Sequence, residues 1–188
     1  MDEKIWKNEN EFSKDVHAFL EEKLSAYPNY DVKEYKNVVT DFTFHESKKG
    51  DGYELVAGFQ QQDIVIYKKT STIKPWGKIF GEACRPYGIG ESKSEGIIIP
   101  LVILELKIKF NTHNLITYSG IANKIKTFFP CCSYCYVLGR DTQKKCNIET
   151  LTIERQGKGF DKVFLDWATE KEKIWHFIEN KIKDEEER

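Results

Sequence analysis

The sequence predicts an α/β fold class, with a mixed central β-sheet flanked by helices. Three observations predict it. A helix-periodic segment opens the chain, short alternating segments follow it, and an apolar run at residues 97–104 leads through a second helical pattern into another apolar run at 134–138. Strands joined by short turns pair antiparallel, whereas strand, helix, strand in succession implies a crossover and a parallel pair. A chain with both patterns builds a mixed sheet.

Phe12, Val16, Phe19, Leu20 and Leu24 recur at helical spacing and place the first helix over 10–25, with Pro28 ending it. Three strands are expected over 38–44, 53–59 and 63–67. Lys48-Lys49-Gly50-Asp51-Gly52 makes the first turn, and Gln60-Gln61-Gln62 is a tight connection between the second and third strands. Residues 70–96 carry Pro75-Trp76-Gly77 and Pro86-Tyr87-Gly88-Ile89-Gly90 and read as a long loop or insertion with a short helix. A connection of this length inside a compact domain usually has a functional reason.

The next strand spans 97–109. Pro100 has no backbone donor, so the regular part is expected to begin at Leu101. Asn111, Thr112 or Asn114 can cap a helix with Ile121, Ile125 and Phe128 on its apolar side, stopping before Pro130. Residues 134–138 form another strand, 148–153 an additional one at an edge, and 166–183 a last helix. Asp166 is its candidate cap, and Trp167, Ile174, Trp175, Ile178 and Ile182 are its apolar positions.

With 188 residues, 40% of them apolar, the chain can bury one substantial core, and a single domain over 1–188 is expected. No uninterrupted apolar stretch approaches the about 18 residues of a membrane span, and Met1-Asp2-Glu3-Lys4 opens no secretory signal. The expectation is a soluble, cytoplasmic protein with no membrane partner. Five cysteines, an odd number, suit reduced thiols better than a disulfide framework. Cys132 and Cys135 have the gap of a zinc half-site, with Cys131 and Cys146 nearby, but Cys135 lies in a segment that reads as a core strand. The four histidines show no metal spacing, although His113 follows Lys107 closely enough to approach it from the loop.

Net charge is only −1, but its distribution is uneven: residues 68–130 hold ten Lys or Arg against four Glu. A basic middle can attract a phosphate backbone even in a nearly neutral protein. Lys124 and Lys126 on the second helix, and Trp76, Arg85, Tyr87 and Lys93 in the long loop, are candidate contacts, with ordinary solvent exposure or loop packing as the alternative.

The most informative segment is Glu105-Leu106-Lys107, at the end of the most apolar run. Unpaired charges on a buried strand are costly. A period of two sends Glu105 and Lys107 to one face and Leu104, Leu106 and Ile108 to the other. If the strand carrying Asp63 lies alongside, the Asp63 and Glu105 carboxylates converge and can hold Mg2+, which takes a few carboxylates and completes its shell with water and phosphate oxygens. Lys107 would orient the attacking water and offset charge on the phosphorus, or act as a general base if burial lowers its pKa. That chemistry is phosphodiester hydrolysis.

Asp63, then Glu105-x-Lys107 after Ile98-Ile99-Pro100-Leu101-Val102-Ile103-Leu104, a helix with Ala122 and Lys126, and the apolar strand at 134–138 together resemble the PD-(D/E)XK nuclease superfamily, in particular type II restriction endonucleases. The resemblance covers about residues 55–140, with Gln62 where the family commonly has proline and the extra length falling in 70–96. It implies a restriction-endonuclease-like core, Asp63 and Glu105 as metal ligands, and Lys107 as the water-activating residue. It also implies a further glutamate from the first helix, for which Glu9 and then Glu11 are the candidates. The implied activity is a Mg2+-dependent DNA endonuclease acting on double-stranded DNA, possible as a homodimer. A Holliday-junction resolvase, a repair nuclease and a non-catalytic nucleic-acid-binding module are the alternatives.

Overall fold

The computed structural model describes residues 6–46, 53–73, 84–87, 97–139 and 157–188. Helix α1 (Glu9–Leu24) is followed by the long strands β1 (Tyr30–Glu46) and β2 (Tyr53–Ile73), the short β3 (Cys84–Tyr87) and the apolar β4 (Ile97–Lys107). Helix α2 (Thr112–Phe128), β5 (Ser133–Leu138), β6 (Lys162–Phe164) and α3 (Trp167–Glu186) complete the described elements. The sheet runs β1-β2-β4-β5-β6, with β3 also paired to β2. The β1/β2 and β2/β4 pairs are antiparallel, and β4/β5 and β5/β6 are parallel. The mixed central sheet flanked by helices is as the sequence predicts.

Each helix begins where a side chain satisfies a free backbone donor. Asn8 accepts from the Glu11 amide at 3.0 Å, and the Glu11 carboxylate accepts from the Lys7 amide at 2.9 Å. Asn111 accepts from the His113 amide at 2.8 Å. Asp166 accepts from the Ala168 amide at 3.0 Å, while Glu170 accepts from the Leu165 amide at 2.8 Å.

Strand alternation divides the core in two. Ile64, Ile66, Val102, Leu104, Leu106, Cys135 and Val137 pack under α1 and α3, through residues including Phe12, Leu20, Trp167, Ile174 and Ile178. Val65, Ile103 and Tyr134 face the other way, against Ile121, Ala122 and Ile125 of α2. The central strands are therefore covered on both faces, which is why β4 reads as an almost unbroken apolar run. Trp167 and Trp175 are buried core residues, as their helical spacing predicts.

Several expected boundaries are corrected. The segments 53–59 and 63–67 belong to one strand, because the polar Gln60, Gln61 and Gln62 keep pairing with Val38, Asn37 and Lys36 instead of turning. β1 starts at Tyr30, well before 38, where the buried Tyr30 and Val32 alternate with the charged and more open Asp31 and Lys33. β4 includes Pro100, which sits opposite Tyr67 at a break in the β2/β4 register, where a missing donor is tolerated. Arg85 and Tyr87, expected in a loop, lie in β3, and the three-residue β6 was too short to show a period. The 48–52 turn, the 148–153 strand and most of the 70–96 loop, with Trp76 and Lys93, lie outside the described residues.

Near β6, Gly159 donates its amide to the Ser119 hydroxyl at 2.9 Å, and a Cβ there would lie 2.1 Å from the Ser119 carbonyl oxygen. Only glycine lets the chain approach α2 so closely. Asp161 then accepts from the Tyr134 amide at 2.7 Å and pairs with Lys126 at 2.7 Å. Lys126 is thereby tied to the fold, not to solvent.

Candidate functional site

Antiparallel pairing places Ile64 beside Leu104, which brings the next residues, Asp63 and Glu105, to neighbouring positions on the face covered by α2. The Asp63 Oδ2 accepts from the Leu106 amide at 2.8 Å. A carboxylate thus takes a ladder donor where the β2/β4 pairing ends, and its orientation is held by backbone. Parallel pairing with β5 sets Tyr136 beside Glu105 and Leu138 beside Lys107.

Lys107 Nζ is the point of convergence. It lies 2.6 Å from Glu105 Oε1, 3.5 Å from Asp63 Oδ2 and 3.7 Å from Glu9 Oε2, and it donates to the Leu106 carbonyl at 2.8 Å. The Tyr118 ring centroid of α2 is 4.7 Å away. Glu105 and Lys107 are only 1% and 5% exposed, so the pair is buried and is not an ion pair at an open strand end. Asp63 and Glu9 are progressively more open, so the cluster grades from core to solvent.

Glu9 and Glu11 separate cleanly. Glu9 opens α1 and points its carboxylate at Lys107, whereas Glu11 is engaged in the cap of the same helix. His113 sits exposed in the first turn of α2, and Lys124 is exposed on the same helix. Cys132 and Cys135 are buried free thiols, pushed well up by burial and packed among the core residues of the two sheet faces.

Three carboxylates around one ammonium leave an excess of negative charge. Glu105 is pushed up to about 8, first by burial and then by the Asp63 carboxylate, against the opposing pull of Lys107 and the Tyr118 hydroxyl. Burial alone would lower Lys107, but Glu105 and Asp63 outweigh it and hold the amine above its ordinary value. In this arrangement Lys107 is held as an ammonium. Tyr118 is itself raised by burial and by Glu105.

Sequence reasoning passed over the wall behind Glu105. Gln62 is fully buried, donates through Nε2 to the Gln60 carbonyl at 3.2 Å, and accepts the Tyr134 hydroxyl at 2.5 Å. That hydroxyl also lies 3.4 Å from Glu105 Oε2. The available signal was Tyr134, an aromatic hydroxyl at an inward position of an otherwise apolar strand.

Among the described residues, no group of three or more His, Cys, Asp or Glu closes into a ready metal cage. The donor set nevertheless fits a hard divalent cation that needs only one or two protein carboxylates. Asp63 and Glu105 come from adjacent strands. Glu105 Oε1 is buried without a donor in hydrogen-bond alignment, its 2.6 Å approach to Lys107 being an ion contact of poor angle. Such an oxygen has lone pairs available to a cation.

No protein-family model matches the chain, and no curated protein matches it. Among solved structures, it is similar to one described as the native BbvCI A2B2 tetramer at low resolution. The TM-score is 0.47 and the identity 13%, over 71% of this chain and 44% of that one. The chain thus spans less than half the length of the structure it matches. No helix among the described residues is long and apolar enough to cross a membrane.

Proposed function

We propose that the protein is a divalent-metal-dependent DNA endonuclease of the type II restriction kind. The observation that carries this reading is the convergence of Asp63, Glu105 and Glu9 on the buried Lys107 ammonium. A merely structural ion pair would need one carboxylate, and gathering three around a single buried ammonium leaves a mutual repulsion that a further cation or substrate would offset.

Asp63 and Glu105 would hold Mg2+, which supplies Lewis acidity toward the phosphoryl oxygen and a more acidic water. Asp63 is oriented by the Leu106 amide through Oδ2, and in this reading its second oxygen would serve the cation. Lys107 remains protonated, orients the attacking water through its N–H groups and offsets the charge that builds on the phosphate oxygens. Glu9, from the solvent side, completes the polar rim and helps place Lys107. The Gln62–Tyr134 pair holds the inner side of Glu105 against collapse into the core.

The substrate in this reading is duplex DNA in the cytoplasm, and a homodimer would set two sites against opposing strands, as two-fold symmetry of target and protein requires. The test is incubation of purified protein with plasmid and genomic DNA in Mg2+, beside a chelator control and a Lys107→Ala variant. The expected result is discrete fragments from the wild type alone, with the variant slowed at least about 100-fold, the scale of a lost electrostatic stabiliser. A folded, Mg2+-supplemented wild type that leaves duplex and branched DNA intact would sink the proposal.

A further inference from the structure

The β1/β2 ladder pairs Glu34 with Ile64 and Lys36 with Gln62, but skips the pair between them, Tyr35 with Asp63. At that step Tyr35 has φ +50°, and it is the non-glycine residue with positive φ among the described residues. A bulky L-residue enters the left-handed region only when its surroundings hold it there. Here the Tyr35 hydroxyl donates to Asn10 Oδ1 at 3.0 Å, and its carbonyl accepts from Gln61 Nε2 at 3.1 Å.

These anchors locate the side chain. Asn10 follows Glu9, whose carboxylate reaches Lys107, and Gln61 precedes Asp63 by two residues on β2. Tyr35 therefore bridges the first turn of α1 and the strand carrying Asp63, at the open side of the carboxylate cluster. It belongs to none of the core clusters and is 37% exposed. An exposed aromatic, held in strained backbone beside a cluster of functional groups, contributes little to packing; strain of this kind is characteristic of ligand contacts.

We propose that Tyr35 is a substrate-contact residue whose ring stacks on a nucleobase next to the phosphate bound at Asp63, Glu105 and Lys107. This rests on the nuclease reading above. Every base offers a π-face, so the contact is tolerant of sequence and acts on binding and placement. The hydroxyl stays engaged with Asn10, which keeps the ring pre-oriented and reduces the entropy lost when DNA binds.

Tyr35→Gly and Tyr35→Asn separate this role from a structural one, because both residues accept positive φ while lacking the ring. Binding is read by fluorescence anisotropy of a labelled oligonucleotide duplex in chelator, cleavage in Mg2+, and folding by thermal melting. Both variants are expected to melt at or above the wild-type temperature and to bind about tenfold more weakly, the scale of one lost base–aromatic stack. Tyr35→Phe should bind within about threefold of wild type, since the ring is retained. Full-strength binding by a folded Tyr35→Gly or Tyr35→Asn protein overturns the inference and leaves the nuclease reading standing. A wild type that neither binds nor cuts DNA overturns the nuclease reading and this inference with it.

Discussion

Glu105→Gln should change the pH dependence of stability in the metal-free protein more than any other single substitution at the site. The folded protein holds this carboxyl at about 8 in place of its ordinary 4.5. A raised folded value means that the native state binds the proton more tightly than the unfolded chain. Its contribution to stability is complete below about 4.5 and is lost as pH rises toward 8. At 1.36 kcal/mol for each tenfold change in proton affinity, the loss is bounded at about 5 kcal/mol. Water entry and relaxation of the coupled Lys107 reduce it to on the order of 2 kcal/mol. Glutamine keeps the shape and carries no charge, so the variant should match wild type near pH 5 and exceed it by that amount near pH 9. Urea denaturation in chelator at pH 5, 7 and 9 reads the difference, which cancels the histidines common to both proteins. Equal pH profiles for the two would show that Glu105 is not held protonated by its burial, and the electrostatic account of the site would be wrong.

Added Mg2+ should raise the melting temperature, by an amount that grows from pH 6 to 8.5 as the cation displaces the Glu105 proton; a ligand at 100 times its Kd contributes about 2.7 kcal/mol. Isothermal titration with Asp63→Asn as control checks it, and an equal heat from that variant would place the cation elsewhere. Glu9→Gln should lower cleavage while leaving denaturation midpoints unchanged, whereas Glu11→Ala should cost about 0.5–1 kcal/mol through its cap and leave cleavage unchanged. The reverse pattern would exchange the two roles. Asp166→Ala should cost about 1 kcal/mol, read by urea melting, because α3 loses its first-turn acceptor.

The helices were legible because their apolar residues recur at 3.6-residue spacing and each begins at a capping side chain. Strand boundaries were less so. Gln60, Gln61 and Gln62 look like a connection because they are polar, yet a ladder is made by backbone groups, and those three residues never leave it. Nothing local announces that Gln62 will be buried; its partner, Tyr134, is supplied by β5. The candidate site was legible for the opposite reason. Glu105 and Lys107 break an apolar run, and such a break requires compensating partners. The partner on α1 was not legible to the same degree, since Glu9 and Glu11 differ only in which of them the cap consumes.

The electrostatics of the cluster also constrain how it can work. A lysine chosen as a general base would be lowered by apolar surroundings, but Lys107 is enclosed by carboxylates that hold its proton. A carboxyl chosen only to neutralise that lysine would be depressed, but Glu105 is raised, first by its burial and then by the Asp63 carboxylate that shares the same small volume. Neither residue is in the state that an isolated ion pair would give it. In the nuclease reading proposed above, a divalent cation sharing Asp63 and Glu105 would favour the ionised Glu105 and relieve Lys107 of part of the carboxylates' pull, leaving its N–H groups for phosphate and water. On that reading the ammonium would serve as an internal counter-ion before substrate arrives and as an electrostatic stabiliser afterward. It also predicts that Lys107→Met, which keeps the length and removes the charge, will bind Mg2+ more tightly than wild type while losing cleavage. Weaker Mg2+ binding by a folded Lys107→Met protein would refute the competition between the two cations.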